Sequence, residues 1–252
     1  MYFVSGGIYH VFNQGNNKQI VFFNRNNYLY FLRKLRVQIL PFADILSWCL
    51  MPNHFHLMIY VIETEVPWNY LHKNHDSMSK VDFSPGATES RARTIDEIST
   101  TESRARTIDE ISTTASRART FRSKDSSLEG IKIMSLNSSI GILLSSYTRG
   151  INIQERRTGS LFRKETHAIC LNDTSQSLPV WYKKEGITFM NVEIPEWQYP
   201  QSCMDYIHFN PVKSKLAKNP EDWEFSSYSD LAGLRNGTLV NKERIFELKL
   251  KV

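Results

Sequence analysis

His54-Phe55-His56 is the segment whose residue types and spacing point most directly to chemistry. It opens an apolar run, Phe55 to Val61, that reads as a β-strand. Alternate side chains of a strand share a face, so His54 and His56 project together while Phe55 turns to the other side. Two imidazoles so placed can ligate one divalent cation; they can also be two half-exposed strand histidines without a ligand. Zinc normally takes three or four protein ligands, and no local Cys or His supplies them. An N/O sphere left open for a phosphate oxygen suits Mg²⁺ or Mn²⁺ better. Downstream, Arg149, Arg156, Arg157, Arg163 and Lys164 face only Glu155 and Glu165 between positions 145 and 165. Such a cluster can hold a phosphodiester backbone or be a solvated loop.

The elements that must carry these residues follow from periodicity. Residues 7–12 read as a strand, followed by the turn residues Asn13 to Asn17. Asn24 is placed to cap a helix over 25–39, with Tyr28, Leu29, Phe31, Leu32, Leu35 and Ile39 at helical spacing and Pro41 just beyond. Strands over 44–51 and 54–62 are joined by Met51-Pro52-Asn53. A second helix is expected at about 128–149. A third is expected from Ser202 to His208, stopped by Asn210-Pro211 because a residue before proline avoids the α region. The β-α-β-β order suits an α+β fold: a ferredoxin-like antiparallel sheet of four to five strands, with helices packed on one face.

One stretch differs from the rest. TESRARTIDEIST, Thr88 to Thr100, recurs identically at Thr101 to Thr113, and a third copy begins at Thr114. The unit is too short and too polar to build a repeat fold. Its charges nearly cancel: residues 88–125 carry eight Lys/Arg and seven Asp/Glu. It reads as a solvated insertion at about 84–127 in a single domain spanning 1–252, and a nucleic-acid-binding arm is the sharper alternative. The chain has 252 residues and a formal charge of +5, which permits a nucleic-acid partner without requiring one. Its 41% hydrophobic residues exclude a wholly disordered chain. No apolar run approaches a membrane span, and no secretory leader is evident at the start. Cys49, Cys170 and Cys203 form no CxxC pair or disulfide framework, so a cytoplasmic setting is expected.

Four motifs in order resemble the single-tyrosine HUH transposases, in which a bulky apolar residue separates two histidines. They are Tyr9 to Asn16, Leu50 to Met58, Tyr206-Ile207-His208-Phe209-Asn210-Pro211-Val212, and Trp223-Glu224-Phe225-Ser226-Ser227-Tyr228. The last two resemble the REP-associated subgroup, and together the motifs cover most of 7–230 outside the insertion. Gln14 stands where many relatives carry arginine. The resemblance implies a transposase that cuts and rejoins single-stranded, hairpin-forming DNA through a covalent 5′-phosphotyrosine. It implies that His54 and His56 bind Mg²⁺ or Mn²⁺ and that Arg149, Arg156, Arg157, Arg163 and Lys164 contact DNA. A monomer and a homodimer are both compatible with it.

The same resemblance implies a nucleophilic tyrosine on a helix beyond the histidines, and Tyr147 in Ser145-Ser146-Tyr147-Thr148-Arg149 occupies that place. Without the resemblance, Tyr147 reads as a core aromatic on the apolar side of its helix. Tyr9, Tyr60 and Tyr206 read as packing residues. Relatives are expected to add an amide ligand about one turn after the tyrosine. One turn after Tyr147 stands Ile151, which cannot ligate. Asn152 is the candidate third ligand, with Gln154 and water as alternatives. Two other readings use the same scaffold: a catalytically silent hairpin-DNA-binding protein, and an RNA-binding module with aromatics on the histidine face.

Overall fold

The structure is a computed structural model that describes residues 1–69, 132–172, 180–184, 187–191 and 198–252. The repeat insertion lies outside the described residues. Strand β1 (Ile8–Gln14) leads to helix α1 (Arg25–Gln38), then β2 (Ala43–Met51), β3 (His54–Val61), β4 (Glu65–Pro67), β5 (Ile133–Ser135), α2 (Leu136–Gln154) and β6 (His167–Cys170). A hairpin of β7 (Val180–Lys184) and β8 (Ile187–Asn191) follows, then α3 (Gln198–Lys213), α4 (Tyr228–Leu231) and α5 (Lys242–Glu247).

The main sheet has the order β2-β3-β1-β6, and every neighbouring pair is antiparallel. With α1 and α2 between the strands this is the ferredoxin-like β-α-β-β-α-β arrangement expected from the sequence. Asn24 caps α1 as expected: its side chain accepts from the Asn27 backbone N–H, and the Asn27 side chain returns the bond. Helix α2 begins at Leu136, later than expected, and runs through Gly150 to Gln154. A Cβ at Gly150 would stand 3.1 Å from Tyr30 Cε1, so glycine lets α2 lie close against α1. Helix α3 also outruns its expected stop, continuing through Pro211 to Lys213. Proline there deletes one backbone hydrogen bond, a cost of about 3 kcal/mol in a helix interior. Only two residues of the helix follow it, and burial of Met204 and Ile207 against the sheet offsets the loss.

Strand alternation divides the sheet into two unlike faces. Val11, Phe55, Leu57 and Ile59 pack with Phe31, Leu35, Leu143 and Tyr147 under α1 and α2. Cys49, Met51 and Met58 face the other way, where Met204 and Ile207 of α3 and Ile245 of α5 join them. Helices therefore lie on both faces: the expected pair covers one, and α3 with α5 covers part of the second. The segment 223–227 runs along the outer edge of β2, with Leu50 N–H donating to Phe225 O and Ser227 N–H to Trp48 O, both 2.9 Å. That pairing covers the free edge of β2. It also anchors α3, because the buried His208 ring bonds Ser227 Oγ at 2.9 Å. Among the described residues, no helix is long and apolar enough to cross a membrane.

Candidate active site

His54 and His56 lie on β3, an interior strand, and point to the face that α3 partly covers. Phe12 lies opposite His56 in the register, and Gln14 opposite His54. Asn53 Oδ1 stands 2.6 Å from His54 Nδ1. The same amide donates through Nδ2 to Lys18 O, which leaves Oδ1 to accept from the imidazole. His54 therefore carries its proton on Nδ1 and has its lone pair on Nε2. His56 is treated similarly. Asn210 Nδ2 donates to His56 Nε2 at 3.1 Å, so the His56 proton sits on Nδ1 and is donated to His10 Nε2 at 2.9 Å.

Burial keeps these rings neutral. His56, 6% exposed, is lowered to about 3 by burial and, to a lesser extent, by the neighbouring His10 and His54 rings. His10 is lowered to about 4 by burial. His54 is also lowered by burial, an effect that its hydrogen bond to Asn210 partly offsets. Neutral imidazoles, each with a lone pair on Nε2, are suited to bind a cation. His10 holds the second nitrogen of His56, as outer partners of metal-binding histidines commonly do.

The residue that completes the site comes from α3. The Tyr206 ring lies 5.3 Å from the His56 ring and 6.1 Å from that of His10 (centroid distances), and Tyr206 is 40% exposed. Asn210 follows one turn later on the same helix, about 40° around its axis. Lys213 Nζ sits 5.1 Å from the Tyr206 ring centre. A phenol, an amide and two imidazoles thus converge, with a cation beside them.

Tyr147 is not part of this group. It is 0% exposed, packed among Phe22, Tyr30, Phe31 and Phe162 on the opposite face of the sheet. Its hydroxyl donates to Val21 O at 2.8 Å. Burial pushes this phenol far above its ordinary value, with smaller contributions from Tyr28 and Tyr30. The expectation that Tyr147 meets the histidines is corrected: its ring points into the apolar core between sheet and helices. Asn152 is likewise elsewhere. Its Nδ2 donates to Gly159 O at 2.8 Å, tying the end of α2 to the next loop, and its buried Oδ1 has no hydrogen-bond partner among the described residues. Gln154 accepts from Asn27 of α1.

The expected DNA-contacting cations divide. Arg149, Arg156, Arg163 and Lys164 are exposed, and among the described residues none of their side chains is in an ion pair. Arg157 is half-buried and donates to Gln19 Oε1 at 2.7 Å. Arg163 and Lys164 line a cleft of about 740 Å³ at the β6 side of the molecule, together with Ser145, Thr148, Thr166 and His167.

Sequence reasoning missed Tyr206, Asn210 and His10. A usable signal existed: Tyr206 and Asn210 stand four apart, the tyrosine–amide spacing that Tyr147 lacks. His10 carried no comparable signal, because its role depends on strand register. No family model matches the chain, and no curated protein matches it. Among solved structures, the chain is similar to a REP-associated tyrosine transposase bound to a REP hairpin, at 14% identity and a TM-score of 0.45, over 96% of this chain and 92% of that one.

Proposed function

We propose that this protein cleaves and rejoins single-stranded, hairpin-forming DNA, with Tyr206 as nucleophile and His54, His56 and Asn210 as the ligands of a divalent cation. The observation that carries this reading is the convergence of Tyr206 and Asn210, one helical turn apart, on the His54–His56 pair. Sequence supplies the substrate class: the motifs around His54 and around Tyr206 both resemble those of HUH transposases.

The residues fit a cation of the Mg²⁺ or Mn²⁺ type. His54 and His56 offer neutral Nε2 atoms, and rotating the Asn210 amide by half a turn exchanges its Nδ2 for Oδ1. That gives two nitrogens and one oxygen, with the remaining positions left for substrate and water. When bound, such a cation withdraws charge from the scissile phosphate.

Tyr206 supplies the bond-forming atom. Its Oη attacks phosphorus, the phenolic proton passes to water, and the departing 3′ oxygen leaves as a hydroxyl after taking up a proton. The DNA downstream of the cut then hangs on Tyr206 through its 5′ phosphate. Reversal by a second 3′-OH restores the phenol and joins new strands. Lys213, beside Tyr206, and the exposed Arg163 and Lys164 supply positive charge for the backbone. The silent DNA-binding alternative rests on the repeat insertion and on the missing ligand one turn after Tyr147. Asn210, one turn after Tyr206, removes the second motive.

The test is a covalent trap. Labelled single-stranded hairpins taken from the sequences flanking its gene are incubated with protein and Mn²⁺ and resolved on a denaturing gel. The expected adduct is present in wild type and Tyr147→Phe, and absent in Tyr206→Phe, in His56→Ala and with EDTA. An adduct that survives Tyr206→Phe but not Tyr147→Phe would overturn the assignment.

A further inference from the structure

The β1–β6 half of the histidine face differs from the half under α3. Helix α3 packs on β2 and β3, whereas His10 and Phe12 on β1 are only partly buried, and His167 and Ile169 on β6 are exposed, Ile169 at 52%. Across this half runs a ladder of rings. His56 and Phe12 lie 5.8 Å apart between centroids, and Phe12 and His167 lie 5.1 Å apart with their planes 22° from parallel. The ladder starts at the cation ligands and ends at the edge strand. Phe12 covers one face of the His167 ring, which leaves the other face turned away from the sheet.

That outer ring does not stand alone. His167 also lines the cleft that holds Arg163 and Lys164, whose side chains are exposed and lack ion-pair partners among the described residues. Ser145, Thr148 and Thr166 add hydroxyls to the same walls, and Glu165 adds one carboxylate beside the two cations. An aromatic face, two cations and several hydroxyls side by side form the combination that single-stranded nucleic acid needs: the ring for a base, the charges for its phosphates.

We infer that His167 is a base-stacking subsite: its outer face receives one unpaired base of the DNA strand flanking the cut, while Arg163 and Lys164 hold the phosphates of that strand in the adjoining cleft. This deepens the proposed reaction and rests on DNA being the substrate. It assigns a path to the strand, from Tyr206 across the edge of β6. It also assigns a function to Phe12, which backs the His167 ring as a positioning residue. Any base has a π face, so the subsite favours an unpaired nucleotide over a paired one and does not by itself choose a sequence.

The test uses full-length Tyr206→Phe protein, so that no cleavage is needed. A hairpin with single-stranded flanks carries 2-aminopurine, moved one position at a time through the flanks. One position is expected to be quenched on binding. Quenching there should be lost in His167→Ala and retained in His167→Phe, which restores a ring. Affinity for the flanked hairpin should fall roughly ten-fold in His167→Ala, while a bare hairpin without flanks binds both proteins equally. An abasic site at the quenched position should abolish the difference between His167 and His167→Ala. Phe12→Leu, which keeps apolar volume but removes the ring, should weaken quenching at the same position only. The inference is overturned if no flank position depends on residue 167, or if His167→Ala weakens the bare hairpin just as much. A wild type that quenches at one position yet forms no covalent adduct would sink the cleavage reading and leave this subsite standing. A wild type that forms the adduct with no dependence on residue 167 would do the reverse.

Discussion

The two faces of the sheet each carry a tyrosine from a packed helix, and the fates of the two rings differ. Tyr147 on α2 is sealed among four aromatic rings and spends its hydroxyl on the Val21 carbonyl. Tyr206 on α3 stands half in solvent beside the rings of His10 and His56, with the Asn210 amide one turn on. The difference comes from what each helix covers. Helix α2 lies over Phe55 and its neighbours, the odd positions of β3, where only apolar contacts are on offer. Helix α3 lies over the even positions, where His54 and His56 replace apolar side chains. A tyrosine's chemistry is thus set by the parity of the strand beneath its helix, because alternate strand residues never share a face.

The largest separation should appear on exchanging each phenol for phenylalanine. Tyr206→Phe is expected to lower adduct formation by at least about 10³-fold, the scale seen when a covalent nucleophile is removed. Its melting temperature should hardly move, since no described partner is lost. Tyr147→Phe should do the opposite. It leaves the Val21 carbonyl buried without its donor, a loss of about 1–3 kcal/mol, and lowers the melting temperature by several degrees while adduct still forms. Equal effects of the two changes on both readouts would erase the contrast between the faces.

The amides provide the next separation. Asn210→Ala should weaken Mn²⁺ binding, read by calorimetry on DNA-free protein, and reduce adduct to near background. Asn152→Ala should leave Mn²⁺ affinity unchanged and cost only the link to Gly159. Removing the partner behind His56 should have an intermediate effect: His10→Ala is expected to weaken Mn²⁺ by roughly 10–100-fold, with partial recovery in His10→Gln, whose side chain can still accept a hydrogen bond. Equal loss of Mn²⁺ in Asn152→Ala and Asn210→Ala would place the cation away from the histidine face.

Much of this contrast was legible in the sequence. The alternation around His54 fixed which residues share a face. Helix α1 was readable from its apolar spacing and the Asn24 cap, and the ferredoxin-like antiparallel sheet followed from β-α-β-β. The tyrosine was not readable, and the reason is local. Asn210 precedes Pro211, and a pre-proline residue normally leaves the helix. Ending α3 at His208 cuts Asn210 off the helix that holds Tyr206 and hides their one-turn relation. Packing of Met204 and Ile207 carries the helix through. The fragment Ser145 to Arg149, by contrast, lies in a helical pattern whose apolar side includes Tyr147, as the residues alone indicate; only the resemblance gave that tyrosine a catalytic place. His10 was hidden for a different reason: its partner lies 46 residues away, and only the β1–β3 register brings the two rings together.

Acid should act through the polar face before the apolar one. His10 and His208 are lowered to about 4 and His56 to about 3, whereas an unfolded histidine titrates near 6.5. Between those values the unfolded chain binds more protons than the folded one, so stability rises with pH. The contribution of these rings is fully present above pH 6.5 and is lost progressively as the pH falls toward 3–4. Melting temperature is expected to fall across that window. The fall should be shallower in His208→Gln, which removes one of the rings. A flat profile from pH 7 to pH 4 would mean that the histidine face is open to water rather than packed under α3.

The smallest effect should come from the tandem repeat. The chain on either side of residues 70–131 is held together, with β4 and β5 paired antiparallel from Glu65 opposite Ser135 to Pro67 opposite Ile133. That pairing leads directly into α2, where Ser135 caps the helix, so the repeat connects to the Tyr147 side of the molecule. Closure entropy grows only logarithmically with the length of chain between paired ends. Removing 88–113 leaves more than half of the connection between β4 and β5 in place, so by that relation the change is under about 0.6 kcal/mol. Melting temperature should move by no more than a degree or two, and adduct formation through Tyr206 should be unchanged. A large loss of stability would mean that the repeat packs on the α1–α2 side. Loss of adduct with stability intact would tie it to the histidine face instead, and the two sides of the sheet would then be less independent than Tyr147 and Tyr206 make them.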